Sequence, residues 1–147
     1  MISASLVVVE DTAAGKVLMV ENKRGVNAGF FNFPGGKKRD GEKMTECAVR
    51  EVFEETGITP SALSEVGYIE FAGKDFAVTV YRTSEFSGKL REENDETRPF
   101  WQDRSAMPFH KMRNADSDYV PLVLNGVRFR RRYYYDAAFN IVKAEEI

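Results

Sequence analysis

The chain is poor in the residues that most often mark a reactive centre. It has one cysteine, Cys47, and one histidine, His110. A lone thiol excludes an intramolecular disulfide, and a reducing, cytoplasmic setting is the expectation that follows. The pair is too small for a Cys/His zinc site and leaves a single base for any Ser-His-Asp triad. Neither residue is assigned a role, and Cys47 reads as a packed, inert thiol. An excess of charge of one sign is also missing. Lys and Arg number 21 against 23 Asp and Glu, a net charge of −2. No whole-molecule field therefore draws nucleic acid, and an anionic substrate must be held by local groups or bridging cations. No apolar run approaches the roughly 18 residues of a transmembrane helix. The stretch from Ser3 to Val9 is short, lacks a basic lead-in and ends at Glu10-Asp11, so neither a signal peptide nor a membrane partner is expected.

What is present is ordinary globular material. The 147 residues, 43% hydrophobic and 30% charged, suit one domain over 1–147 with a core of its own. Ser5 to Val9 and Val17 to Val20 read as strands joined by a turn at 11–16. Phe30 to Phe33 is a short aromatic piece stopped by Pro34-Gly35-Gly36. The residues from about Lys43 to Glu55 suit a helix closed by Gly57, with Pro60 beyond it. Val66 to Phe71 and Phe76 to Thr83 read as a hairpin around Gly73-Lys74-Asp75, and 88–96 as a long charged loop. Arg98 to Gln102 is a short strand. Tyr119 to Asn125 suits a second helix capped by Ser117 or Asp118. Arg128 to Tyr135 and Phe139 to Val142 form a closing hairpin. Strands interleaved with two helices predict an α/β sandwich with a mixed sheet. The run R-F-R-R-R-Y-Y-Y at 128–135 mixes basic and aromatic residues. An edge strand protected by basic residues explains it better than a nucleic-acid surface, given the net charge.

The informative segment runs from Gly36 to Ile58. At about 100° per helical residue, Glu51, Glu54 and Glu55 share one face, with Thr45, Val49, Val52 and Phe53 on the other side. The apolar side is expected to pack inward and the three carboxylates to point outward together. Each like-charge pair costs about 0.2–0.5 kcal/mol, and the helix C-terminus disfavours anions further. Such a grouping asks for a cation. Oxygen ligands without histidine point to magnesium or manganese. Arg50 offsets part of the charge and suits a bidentate bond to a carboxylate. Gly35-Gly36 lets the backbone approach the helix and a phosphate.

Written out, the pattern is G-x5-E-x7-R-E-V-x-E-E-x-G-I, with Gly36, Glu42, Arg50, Glu51, Glu54, Glu55 and Gly57 at its fixed positions. At about 7% usage per residue type, chance produces these seven letters about once in a hundred million starts. The segment resembles the Nudix box. The resemblance implies a Nudix α/β/α sandwich with a loop-helix-loop and a magnesium site built from Glu51, Glu54, Glu55, Gly36 and Glu96. The catalytic groups it implies are Arg50, Glu51, Glu54 and Glu96. Nudix enzymes hydrolyse nucleoside diphosphates linked to another group, with water attacking a phosphorus atom.

The likeness extends further. Lys23-Arg24-Gly25, Ala28-Gly29, Asn32 with Pro34-Gly35-Gly36, Asp95-Glu96-Thr97-Arg98-Pro99 with Trp101, Met107-Pro108-Phe109, Met112 and Asp116-Ser117 leading to Pro121-Leu122 are similar to the MutT-like branch. That branch includes the animal-type 8-oxo-dGTP diphosphatases. It implies that Asn32, Phe71, Asp116, Arg113 and Lys23 bind substrate. Asn32 would bond the base, Phe71 would line its pocket and Asp116 would be one of two acids reading a purine edge. The branch carries a tryptophan and two adjacent acids where this chain reads Arg113-Asn114-Ala115-Asp116. An arginine also stacks on a base face, but one acid does not reproduce recognition by two. The leading expectation is a nucleoside triphosphate pyrophosphohydrolase releasing a monophosphate and pyrophosphate. Hydrolysis of ADP-ribose, a nucleotide sugar or a dinucleoside polyphosphate, and non-catalytic nucleotide binding, stay open. Nucleic acid is not an expected partner, and the chain is expected to act as a monomer or homodimer.

Overall fold

A computed structural model describes residues 1–147. The first strand, β1 (Ile2–Asp11), organises the rest. Val7, Val8 and Val9 are all fully buried, as expected of a strand covered on both faces. β1 pairs in parallel with β7 (Phe76–Thr83) along Ile2↔Phe76 to Val9↔Thr83. On its other side it pairs with β4 (Gly35–Lys37), and at its end briefly with β2 (Lys16–Asn22). The expected β1–β2 hairpin therefore exists but spans only Glu10↔Val17 and Asp11↔Lys16. β2 then turns away to pair along its whole length with β9 (Thr97–Asp103), and at Val20 and Glu21 with β3 (Phe31–Asn32).

Beyond β7 the sheet continues through β6 (Ser64–Phe71), β10 (Phe129–Tyr135) and β11 (Ile141–Glu146). β6 and β10 are parallel, with Tyr133 opposite Phe71. β10 is thus an interior strand, and β11 is the edge. This corrects the edge-strand reading of the arginine run. Two of its four charges are neutralised internally, Arg132 by Glu70 and Glu145 at 2.9 Å each and Arg131 by Glu146 at 2.9 Å, while Arg130 lies over the Tyr68 ring and Arg128 donates to the Glu65 carbonyl. A second departure is the ladder between β5 (Ile58–Pro60) and β8 (Phe86–Gly88), which takes Gly88 out of the charged loop.

Side-chain alternation sends β1 residues to two different cores. Val7 and Val9, with Leu18 and Tyr81, pack on Ala48 and Val52 of α1 (Met44–Thr56). Ala4 and Val8, with Val17 and Met19, pack on Tyr119, Val120 and Val123 of α2 (Asp116–Leu124). One helix on each face of a mixed sheet is the α/β/α sandwich that was expected. α2 begins earlier than its apolar pattern suggests, and neither Ser117 nor Asp118 caps it. The Ser117 hydroxyl donates back to the Asn114 carbonyl at 2.8 Å, and Asp118 accepts from the Tyr133 hydroxyl at 2.7 Å. No helix is long and apolar enough to cross a membrane.

Candidate active site

α1 starts with the Glu46 carboxylate accepting the Lys43 N–H at 2.8 Å, half of a capping box. It ends where Gly57, at φ 85°, returns its N–H to the Phe53 carbonyl. That left-handed residue is the expected glycine stop. The inward face differs from the one expected. Cys47, Ala48, Val52 and Thr56 are buried, while Phe53 is 56% exposed. The reason is the proximity of β4. Small side chains let α1 settle against the sheet and turn the Glu51 and Glu55 stripe toward the backbone of Gly35 and Gly36. A Cβ on Gly36 would lie 2.6 and 2.7 Å from the Glu51 carboxylate oxygens, and one on Gly35 would meet the backbone of Ser5 and Leu6. The two glycines are therefore a steric condition for holding this helix here.

The carboxylates are not equivalent. Glu54 is half-exposed, whereas the Glu51 side chain is 17% exposed. Glu55 accepts the Gly35 N–H at 3.2 Å. Burial, with the neighbouring Glu51 adding to it, pushes the Glu55 carboxyl up to about 8 against the pull of the Gly35 N–H. Arg50 sits at the centre. It donates to Glu42 through Nε at 2.6 Å and Nη2 at 3.0 Å, to Glu51 at 2.7 Å and to Glu54 at 3.3 Å. Hydrogen bonds from Arg50 and from the Arg39 N–H hold Glu42 down to about 2. Arg50 thus draws Glu51 and Glu54 to itself while Glu55 turns to Gly35, and no three acidic side chains converge on one metal-sized point. The donor set still fits a hard divalent cation. It comprises carboxylates of unequal burial, the Gly36 carbonyl beside them and one buried acid short of positive charge. Cys47 is buried, its thiol raised by that burial, with weak contacts to the Ser5 hydroxyl and the Gly36 carbonyl.

The remaining expected site residues fall into separate groups. Phe71 and Arg113 line one cleft of about 360 Å³, together with Val26, Lys74, Tyr135, Phe139 and Ile141. Arg113 stacks on the Phe30 ring at 4.1 Å and donates to the Val26 carbonyl and to Asn27. Asn32 and Asp116 lie outside the cleft lining. The Asn32 Oδ1 is buried without a hydrogen-bond partner. Asp116 is 8% exposed beside the buried Tyr119, and burial pushes its carboxyl up to about 6. Lys23 is engaged elsewhere. Its Nζ donates to Glu93 at 2.8 Å and to the Asn94 carbonyl at 3.0 Å, clasping the acidic loop to the end of β2. Glu96 lies exposed in that loop, anchored through its backbone to Lys23 and to the Asn94 side chain. Sequence reasoning missed Val26, Lys74, Tyr135, Phe139 and Ile141. Tyr135, Phe139 and Ile141 reach the cleft through the register of β10 against β6, which no local pattern announces.

Residues 1–123 match the NUDIX domain family. The chain is 39% identical over 119 residues to the oxidized purine nucleoside triphosphate hydrolase of Danio rerio, covering 78% of this chain and 76% of the relative. It is 35% identical to the protein of the same description from Mus musculus, covering 78% and 75%. Among solved structures, a mutator MutT protein from Bacillus halodurans superposes with a TM-score of 0.87 at 22% identity, covering 99% of this chain and 97% of that one.

Proposed function

The chain belongs to the NUDIX family, and on that premise we propose that it is a magnesium-dependent nucleoside triphosphate pyrophosphohydrolase acting on oxidised purine nucleotides. The single observation that carries the reading is the cradle of Glu51 and Glu55 against Gly35-Gly36, a set of hard oxygen donors with too little positive charge of its own. Nudix hydrolases generally use divalent metals, and here Glu51, Glu54, Glu55 and the Gly36 carbonyl would hold Mg²⁺, with Mn²⁺ as a substitute and Glu96 as a further ligand from the loop. When bound, such an ion neutralises phosphate charge and acidifies the attacking water. Glu54 is the most accessible of the three helix carboxylates and takes the water proton in this reading, with Glu96 as the alternative acceptor. Arg50, locked by Glu42, orients Glu51 and Glu54. The cleft with Phe71 and Arg113 takes the base, and Asn32, whose Oδ1 is buried without a partner, and Asp116 would read the purine edge in this reading only if the base reaches past the residues that line the cleft.

Two further features support a free nucleotide as substrate. The names of the animal relatives refer to oxidised purine triphosphates. Arg131 and Arg132 of β10 are paired with carboxylates within the protein, which shortens any basic track on this strand. The same reading takes residues 1–147 as one domain working in the cytoplasm as a monomer or homodimer. The test is incubation of purified protein with Mg²⁺ and oxidised purine triphosphates, normal purine triphosphates or ADP-ribose, measuring monophosphate and inorganic pyrophosphate. Monophosphate and pyrophosphate in equal amounts, fastest from an oxidised purine, are expected. Turnover of every triphosphate no faster than by the Glu54→Gln variant rejects the proposal. ADP-ribose cannot yield pyrophosphate, so its cleavage alone identifies the other class of Nudix substrate.

A further inference from the structure

Phe139, on the rim of the cleft read above as the base site, has a conformation that packing does not account for. Its φ is 64°, the single non-glycine residue of the chain in the left-handed region. A bulky side chain is unfavourable there, whereas glycine or asparagine is tolerated. Burial does not compensate, because the side chain stays 62% exposed. The surrounding turn nevertheless enforces the conformation. The Asp136 carboxylate accepts the N–H groups of Ala138 at 2.9 Å and Asn140 at 3.0 Å, and its carbonyl accepts the Phe139 N–H at 3.0 Å. Asn114, next to Arg113, adds bonds to Asn140 and to the Ile141 N–H at 3.3 Å each. A strained residue held by its surroundings and displayed to solvent suggests a purpose outside the fold.

The neighbours indicate what that purpose is. The Phe139 ring continues an aromatic wall, 6.0 Å from Tyr135, which lies 6.3 Å from Phe71. Lys74 Nζ is 5.8 Å from the Phe139 centroid. Arg113, the flat group of this cleft outside the aromatic wall, already has Phe30 against one face and its donors directed to Val26 and Asn27. We propose that Phe139 supplies the exposed aromatic surface on which the purine base stacks, and is therefore a specificity-determining residue of this site. The inference rests on the reading of the cleft as the base site. Stacking tolerates any flat base but rewards the larger ring area of a purine.

The test is equilibrium binding of GMP, CMP and inorganic pyrophosphate to the full chain with Mg²⁺, alongside thermal melting. Phe139→Asn and Phe139→Gly both accept the left-handed backbone, so each is expected to melt at or above the wild-type temperature. Both should bind GMP roughly five- to a hundredfold more weakly, CMP less affected, with pyrophosphate binding unchanged. Phe139→Trp keeps the stacking surface and should retain GMP binding. Wild-type GMP affinity in the Phe139→Asn variant overturns the proposal, as does a parallel loss of GMP and pyrophosphate binding. Because these are binding measurements, failure of the triphosphatase reading appears separately, as absent turnover by the wild-type chain.

Discussion

Replacing Gly36 with alanine separates the geometry of the acidic cluster from the stability of the fold. The Cβ would fall 2.6 and 2.7 Å from the two carboxylate oxygens of Glu51. Non-bonded heavy atoms rest about 3.5 Å apart, so the carboxylate must retreat by about 1 Å. The backbone itself accepts alanine, because Gly36 lies outside the left-handed region. The obstacle is the end of a side chain, and its retreat also strains the 2.7 Å bond from Arg50. A misplacement of about 1 Å in a catalytic constellation costs on the order of a hundredfold in rate. Gly36→Ala is therefore expected to lose about two orders of magnitude in kcat/KM with Mg²⁺ and to bind Mn²⁺ more weakly by calorimetry, while its Tm moves by only a few degrees. Gly35→Ala is the contrasting case. Its Cβ would meet the Ser5 carbonyl oxygen and come within 2.9 Å of Leu6 Cα, so β4 must leave β1 and the protein should fold poorly. The reasoning is refuted if Gly36→Ala keeps wild-type kcat/KM and Mn²⁺ affinity, or if the two variants lose thermal stability alike.

Two other perturbations follow from buried polar groups. Burial places the Asp116 carboxyl at about 6 in the folded chain against an ordinary 3.8, with Tyr119 and Arg113 pulling it down. A raised acid stabilises the fold fully below the unfolded value, and that contribution is lost as pH rises through the folded one. Relative to Asp116→Asn, the wild type should therefore lose roughly 2 kcal/mol of stability between pH 4 and pH 7, read by urea unfolding at both values. A constant difference across that range contradicts the assignment. Asn32 offers the opposite trade between stability and binding. Its Oδ1 is buried without a partner, which costs about 1–3 kcal/mol. Asn32→Leu is expected to raise or preserve Tm while lowering kcat/KM for purine triphosphates at least tenfold. Loss of stability with unchanged kinetics would show that the amide serves the fold.

The energetic problem of like charges near a helix C-terminus is solved here in layers. Arg50 serves Glu42, Glu51 and Glu54 at once. Glu55 is left to a backbone N–H, and its high carboxyl value records the cost of that isolation. A divalent ion held here as proposed would compete with Arg50 for Glu51 and Glu54, with Glu42 still bonded to the guanidinium.

By itself, the sequence determined what depends on neighbours within a turn or two. The span of α1, its stop at Gly57 and the three-carboxylate spacing are local consequences of helical pitch and left-handed backbone, whereas Gly35 and Gly36 are required by Ser5, Leu6 and Glu51, which only the fold brings to them. The two-helix mixed sheet was legible for the same reason, since alternation and helical periodicity are short-range signals. Only the tertiary structure decided which face of α1 is buried, because that depends on how near β4 approaches. It decided that β10 lies inside the sheet, because parallel pairing with β6 is set by a distant crossover. It also decided the membership of the cleft. Tyr135, Phe139 and Ile141 come from the chain end and Phe71 from its middle, and they share a wall only because Tyr133 is registered against Phe71. Register is fixed by the summed packing of a whole sheet face, a quantity that no window of residues contains.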